Sequence, residues 1–145
     1  MSYPESWTKP TLTPKQRENM ERWCHELDTT DKEQVTGKLC RDGKYCCLGI
    51  WCELAASEGR LSRTVLSSGV VIYEEDAAAL PKSEADALGV DDCTVCVPVG
   101  WYKGAGCRTA ADLNDSAGLT FKEIAQVLRW AYLDGPRPEF YKEQA

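Results

Sequence analysis

Eight cysteines in 145 residues are the first candidates for chemistry in this chain. Three fall in the stretch YCCLGIWCELA, Tyr45 to Ala55: Cys46, Cys47 and Cys52. Thiols at such positions serve as metal ligands, as nucleophiles, as redox pairs or as packing. A structural zinc site wants four ligands, as two close pairs on turns. Cys93-x-x-Cys96 supplies one pair, and Cys40 with Cys46, or Cys107 with another thiol, is the nearest approach to a second. Neither has the compact spacing of a zinc knuckle, and two adjacent cysteines do not readily ligate one ion. No metal is therefore expected.

A nucleophilic reading needs a base. Cys46 or Cys47 opens an expected helix, where the dipole favours a thiolate. His25 is the single histidine, and Asn114-Asp115 is the available orienting pair. A cysteine-dependent hydrolase using Cys46 or Cys47 with His25 is thus arithmetically possible, but no complete catalytic constellation is legible. Cys93-x-x-Cys96 runs into Val97-Pro98-Val99, not into the helix a thioredoxin-type redox motif requires. Packing carries the most weight. Free cysteine behaves as a small, readily buried hydrophobe, and Cys24, Cys47 and Cys52 fall on or beside apolar helix faces.

A second group of residues suits binding. Trp101-Tyr102-Lys103-Gly104-Ala105-Gly106-Cys107-Arg108 reads as a glycine-rich loop that combines rings for stacking with cations for phosphate. The N-termini of the helices expected at Cys46-Cys47 and at Thr120 offer unpaired N–H groups to an anion, and Asn114-Asp115 lies before the second. The ligand set predicted on this basis is Tyr45, Cys46, Cys47, Trp101, Tyr102, Lys103, Arg108, Asn114 and Asp115, for a small anionic ligand of nucleotide type. Turn chemistry favours an Asx turn over a ligand contact for Asn114-Asp115. No phosphate-loop or dinucleotide fingerprint is present, and no cofactor is expected.

The elements that must position these residues follow from pattern. Thr13-Pro14-Lys15-Gln16 is a capping box with proline at the first helical position, and Met20, Trp23, Cys24 and Leu27 continue it as one apolar stripe. Asp42-Gly43 signals a type I′ hairpin turn, flanked by short strands. A helix follows over Cys47 to Ser57, apolar around much of its circumference, with Gly59 at its end. Val70 to Tyr73 reads as a strand, LPKSEADALGV as a short helix, and Val95 to Tyr102 as a strand that Pro98 places at an edge or breaks. LNDSAGL, Leu113 to Leu119, reads as turn-forming. Thr120-Phe121-Lys122-Glu123 is a second capping box, opening a helix with Phe121, Ile124, Ala125, Leu128, Ala131 and Tyr132 on one face. The fold class is α+β: about four helices on a short, mostly antiparallel sheet. Residues 1–12 read as an irregular arm, 13–133 as a single domain and 134–145 as a tail.

Bulk properties bound the partners. A formal net charge of −6 works against non-specific nucleic-acid binding and against anionic membrane. No apolar run approaches the ~20 residues of a membrane-spanning helix. The first residues lack a basic segment followed by an apolar one, so no signal peptide is expected and the compartment is expected to be cytoplasmic. The acidic run Tyr73-Glu74-Glu75-Asp76 and the Asp91-Asp92 pair read as solvated surface, with a face for a basic protein partner as the alternative. Trp130 and Tyr132 read equally as anchors for an oligomer or for another protein and as core.

The segments TGKL at Thr36, YCCLGIWCELA, LP…LGV and LNDSAGLTFKEIAQVL together resemble a family of small, largely uncharacterised bacteriophage and prophage proteins. The resemblance spans about residues 20 to 130. It implies a phage origin, an α+β fold and residence in an infected bacterial cell, and brings no established activity. Cys93, Cys96 and Cys107 stand outside its pattern. With that resemblance, the binding loop and the incomplete catalytic set lead to an expected non-enzymatic accessory protein. It sequesters a nucleotide-derived host immune signal; the alternative is an interaction module that inhibits a host protein.

Overall fold

The structure, a computed structural model, describes residues 3–143. Met1, Ser2 and the last two residues of the expected tail lie outside the described residues.

Helix α1 (Pro14–Thr29) begins as its capping box dictates: the Gln16 N–H donates to Thr13 Oγ1 at 3.1 Å, and Gln16 Oε1 accepts from the Thr13 N–H at 2.9 Å. Met20, Trp23, Cys24 and Leu27 are buried along its inner face. The chain then forms β1 (Cys40–Arg41) and β2 (Lys44–Tyr45) around Asp42-Gly43, both with positive φ, as a type I′ turn requires. Helix α2 (Cys47–Ser57) follows at once, with seven buried residues from Cys47 to Ala55. It closes in a Schellman motif: Arg60 N–H donates to the Ala55 carbonyl and Gly59 N–H to that of Ala56. Strands β3 (Arg63–Val65) and β4 (Val71–Tyr73) pair antiparallel. A bridge from Arg41 to Val70 and the Asp42 N–H bond to the Gly69 carbonyl tie this hairpin to the first one.

Helix α3 (Lys82–Leu88) ends at Gly89 in the left-handed region. Strands β5 (Cys96–Tyr102) and β6 (Ala105–Thr109) form a hairpin, and helix α4 (Ala110–Asp115) runs on from it. Helix α5 (Phe121–Tyr132) opens with its reciprocal Thr120–Glu123 cap and packs along α1. Strand β7 (Tyr141–Glu143) completes a three-stranded sheet of order β6-β5-β7. The protein is a small α+β domain with five helices and antiparallel sheets among the described residues.

Four expectations are corrected. The segment from Trp101 to Arg108 is a hairpin, not a loop: Lys103 and Gly104, both with positive φ, make the two-residue turn between β5 and β6. The described residues of the expected tail, 134–143, are not a free tail. Tyr141 is buried, its hydroxyl donates to the Val99 carbonyl at 2.8 Å, and β7 pairs with Gly100, Trp101 and Tyr102. That makes β5 the central strand. Pro98 is tolerated there because the β6 register shifts between Cys96 and Gly100 and β7 reaches only as far as Gly100. Finally, Leu113 and Asn114 belong to helix α4, capped by Thr109, which gives a fifth helix.

Residues 3–12 of the arm form no helix or strand and are nevertheless packed. Tyr3 donates its hydroxyl to the Trp130 carbonyl at 2.5 Å and stacks on that indole, and Trp7 Nε1 donates to the Ala131 carbonyl at 3.2 Å. The two residues thus serve carbonyls in the last turn of α5, where a helix lacks internal donors. Trp130 and Tyr132, considered above as partner anchors, are core residues. No helix among the described residues is long and apolar enough to cross a membrane.

Candidate functional site

The predicted ligand residues divide into two groups that the fold places apart in role. The first surrounds the start of α2. Cys46 is its N-cap, and the thiol, in place of the usual hydroxyl or carboxylate, accepts from the Gly49 N–H at 3.4 Å. The Cys46 N–H donates to the Leu39 carbonyl at 3.1 Å. The Cys47 N–H donates to Asn114 Oδ1 at 3.1 Å. These first-turn N–H groups are therefore spent inside the protein and do not await an anion.

Asn114 is buried and saturated. Its Oδ1 also accepts from Gln34 Nε2 at 2.8 Å, while its Nδ2 donates to the Val35 carbonyl at 2.8 Å and to Asp115 Oδ1 at 2.9 Å. Asp115 in turn accepts from the Gly37 N–H at 3.1 Å. The pair joins α4, the start of α2 and the segment 34–37. It is not an isolated Asx turn: Asn114 is enclosed by these bonds, whereas Asp115 is exposed. Tyr45 is buried as well, its N–H held by the Glu33 carbonyl at 2.8 Å. Tyr45, Cys46, Cys47 and Asn114 are thus buried structural residues, and Asp115 is the exposed member of this group.

The thiols follow the same logic. Burial pushes Cys46 up to about 11, against the pull of the Gly49 and Leu48 N–H groups, and raises Cys47 as well, with the neighbouring Cys46 adding to it. A thiol held neutral is a poor nucleophile. His25 is exposed on α1, and no hydrogen bond joins it to either thiol; Trp23, two residues earlier, is the α1 side chain that reaches Cys47, donating Nε1 to its carbonyl at 2.9 Å. Among the described residues no three His, Cys, Asp or Glu side chains converge in a group fit for a metal ion, so Cys93 and Cys96 have no partner pair.

The burial pattern has a direct chemical readout. Cys96 is exposed and Cys93 half-buried, and the other six thiols are buried. A thiol reagent at pH 8 is expected to label these two in the native protein and all eight in denaturant. Burial, then Asp92 and Asp91, raise Cys96 above its ordinary 9.0. Its labelling at pH 8 is therefore slower than that of free cysteine, and speeds up as the pH rises. Rapid native labelling of a third thiol would contradict the structure.

The second group lies on the three-stranded sheet, and the hairpin alternation sorts it. Tyr102 points inward, fully buried, with its hydroxyl on the Pro98 carbonyl at 2.5 Å. Trp101 points outward and is 41% exposed. It pairs with Gly106 on β6 and Lys142 on β7. A Cβ on Gly106 would lie 3.3 Å from indole Cζ3, so the ring lies over a glycine floor. Arg108 is two residues beyond Gly106 and exposed on the same face. Neither Arg108 nor Lys142 has a carboxylate within ion-pair distance among the described residues. Beside them is a depression of about 320 Å³ lined by Val99, Gly100, Gly106, Cys107, Arg108 and Asp112. Lys103 does not join this face: it pairs with Glu123, and its ammonium sits 5.8 Å over the Phe140 ring.

Sequence reasoning missed Lys142. It follows two prolines in what read as a tail, and only the pairing of β7 with β5 places it beside Trp101. Gly106 was legible as a glycine but not as a floor.

What these features define is a small α+β domain with an aromatic and cationic patch on an open sheet face. No protein-family model matches the chain, and no curated protein or solved structure is similar to it above chance.

Proposed function

We propose that this protein is a non-enzymatic binding protein that takes up a nucleotide-type anion on the outer face of its three-stranded sheet. The observation that carries the reading is Trp101: a large aromatic ring left 41% exposed on a sheet, over glycine, with Arg108 and Lys142 unpaired beside it among the described residues. Bases stack on such a ring and phosphates meet the cations. The buried, neutral thiols support binding over catalysis. The resemblance to phage proteins supports a role in sequestering a nucleotide-derived immune signal of a bacterial host.

The test uses the protein's own fluorescence. Trp23, Trp51 and Trp130 are fully buried and Trp7 is half-buried, so Trp101, the exposed indole, is the one a stacked base quenches most. Nucleoside monophosphates are expected to quench the wild type saturably. Base stacking contributes about 1–3 kcal/mol, so Trp101→Ala is expected to weaken binding, followed calorimetrically, by roughly 5- to 150-fold. Arg108→Ala is expected to weaken it by about tenfold. Undiminished binding by both variants would place the ligand elsewhere.

A second reading rests on a different observation. Val65 and Leu66, 60% and 40% exposed, adjoin each other at the β3 end of the β3–β4 hairpin. An apolar edge of this kind suits pairing with a strand of another protein, as an interaction module that inhibits a host protein would require.

A further inference from the structure

The arrangement of charge around Trp101 narrows the ligand class, on the premise that Trp101 is the stacking platform. Lys142 stands directly opposite Trp101 on β7, with Cβ atoms roughly 5 Å apart in such a pair. Arg108 lies on the other flank, on β6, diagonal to Trp101 at roughly 7–8 Å. Between ring and guanidinium stands Gly106, which has no side chain to fill the space, and the 320 Å³ depression opens there. Asp112, the carboxylate lining that depression, is turned to the backbone, where Oδ2 accepts from the Arg108 N–H at 3.1 Å. The third nearby cation, Lys103, is held by Glu123. A ring on Trp101 is therefore flanked by one available cation on each side, not by a cluster on one side.

A nucleoside triphosphate strings its charge out from one end of the sugar and would engage only one flank. We propose that the ligand unit is a nucleoside carrying phosphates on both its 3′ and 5′ oxygens, its base on Trp101 and its two phosphates divided between Arg108 and Lys142. That chemistry is met in a free nucleoside 3′,5′-bisphosphate and in an internal residue of a short single strand or small dinucleotide.

Calorimetric titration with thymidine 3′,5′-bisphosphate, thymidine 5′-monophosphate, thymidine 3′-monophosphate and a thymidine tetranucleotide tests it. The bisphosphate is expected to bind about tenfold tighter than either monophosphate. Arg108→Ala and Lys142→Ala, both exposed positions, should each reduce that preference to within about twofold while leaving the melting temperature unchanged. A tetranucleotide that binds tighter still supports the bracket and names a strand as the source. One that binds no better than the bisphosphate supports it with a free small molecule as the source. Equal, Trp101-dependent binding of mono- and bisphosphates overturns the bracket and leaves the stacking platform standing. Absence of binding by all four overturns both.

Discussion

Replacing Gly49 with alanine is expected to unfold the protein or leave it unable to reach its native state. Gly49 lies in the first turn of α2, where the backbone of Leu39 crosses the helix. An added Cβ would lie on the Leu39 carbonyl oxygen and 2.6 Å from its carbon. Neither side can yield cheaply, because both are backbone. The Leu39 carbonyl already accepts the Cys46 N–H, and the Gly49 N–H is bound to the Cys46 thiol. Overpacking a core costs about 1–3 kcal/mol where side chains can shift, and a backbone collision that also breaks the cap belongs above that, at roughly 4 kcal/mol or more. Against a total stability of about 5–15 kcal/mol, that is decisive for a domain of this size. Urea unfolding followed by circular dichroism checks it. A Gly49→Ala midpoint close to wild type would show that the Leu39 backbone does not press on α2 as described.

The second large effect is at Asn114. Asn114→Ala removes the acceptor of the Cys47 N–H and the donor to the Val35 carbonyl, and Gln34 keeps only its bond to the Leu119 carbonyl. The buried Cys47 N–H and the partly buried Val35 carbonyl lose these partners, at about 1–3 kcal/mol for a fully buried group and less for the other, for a total of roughly 2–4 kcal/mol. Asn114→Asp separates this account from a simple loss of volume. The carboxylate still accepts, but it cannot donate to the Val35 carbonyl, and it faces Asp115. Burial and that neighbour raise its folded-state pKa. The variant is therefore most stable at acidic pH and loses stability as the pH rises through the carboxylate range. Denaturant midpoints measured from pH 4 to 8 should fall for Asn114→Asp relative to wild type. A constant difference across that range would contradict the buried network.

These two positions show where the sequence was readable. Local rules carried the helix starts at Thr13 and Thr120, since a capping box is complete within four residues. The Asp42-Gly43 turn was readable for the same reason. Asn114 was recognised as polar and special, but its partner at Cys47 is 67 residues away, and no local pattern reports a side chain that caps another helix. Lys103-Gly104 met the same positive-φ requirement as Asp42-Gly43, yet neighbouring glycines made the segment resemble a loop. Strand β7 depends wholly on β5, and the prolines before it hid it. The candidate site was thus half legible: Trp101 and Arg108 were visible by type, whereas the sidedness that removes Tyr102 and Lys103 and adds Lys142 comes only from strand register.

The cysteines meet the same distinction between local and distant causes. YCCLG attracted attention as chemistry because thiols at a helix start are activated in many enzymes. Here Cys46 caps the helix and Cys47 is enclosed by it, and both are kept neutral by burial. The chain spends its most distinctive motif on joining β1, α2 and α4, and the surface proposed for binding is the sheet on which Trp101 stands.

One measurement tests that division directly. Tryptophan indole N–H signals in a ¹⁵N-correlated NMR spectrum report both places at once, because Trp101 stands on the sheet face and the Trp23 indole N–H is bonded to the Cys47 carbonyl at the start of α2. On titration with the four nucleoside 5′-monophosphates, the account predicts that the Trp101 signal moves saturably while that of Trp23 stays fixed. Movement of Trp23 with Trp101 unchanged would put the ligand at the YCC helix start, and no movement of either would remove the nucleotide-type site altogether.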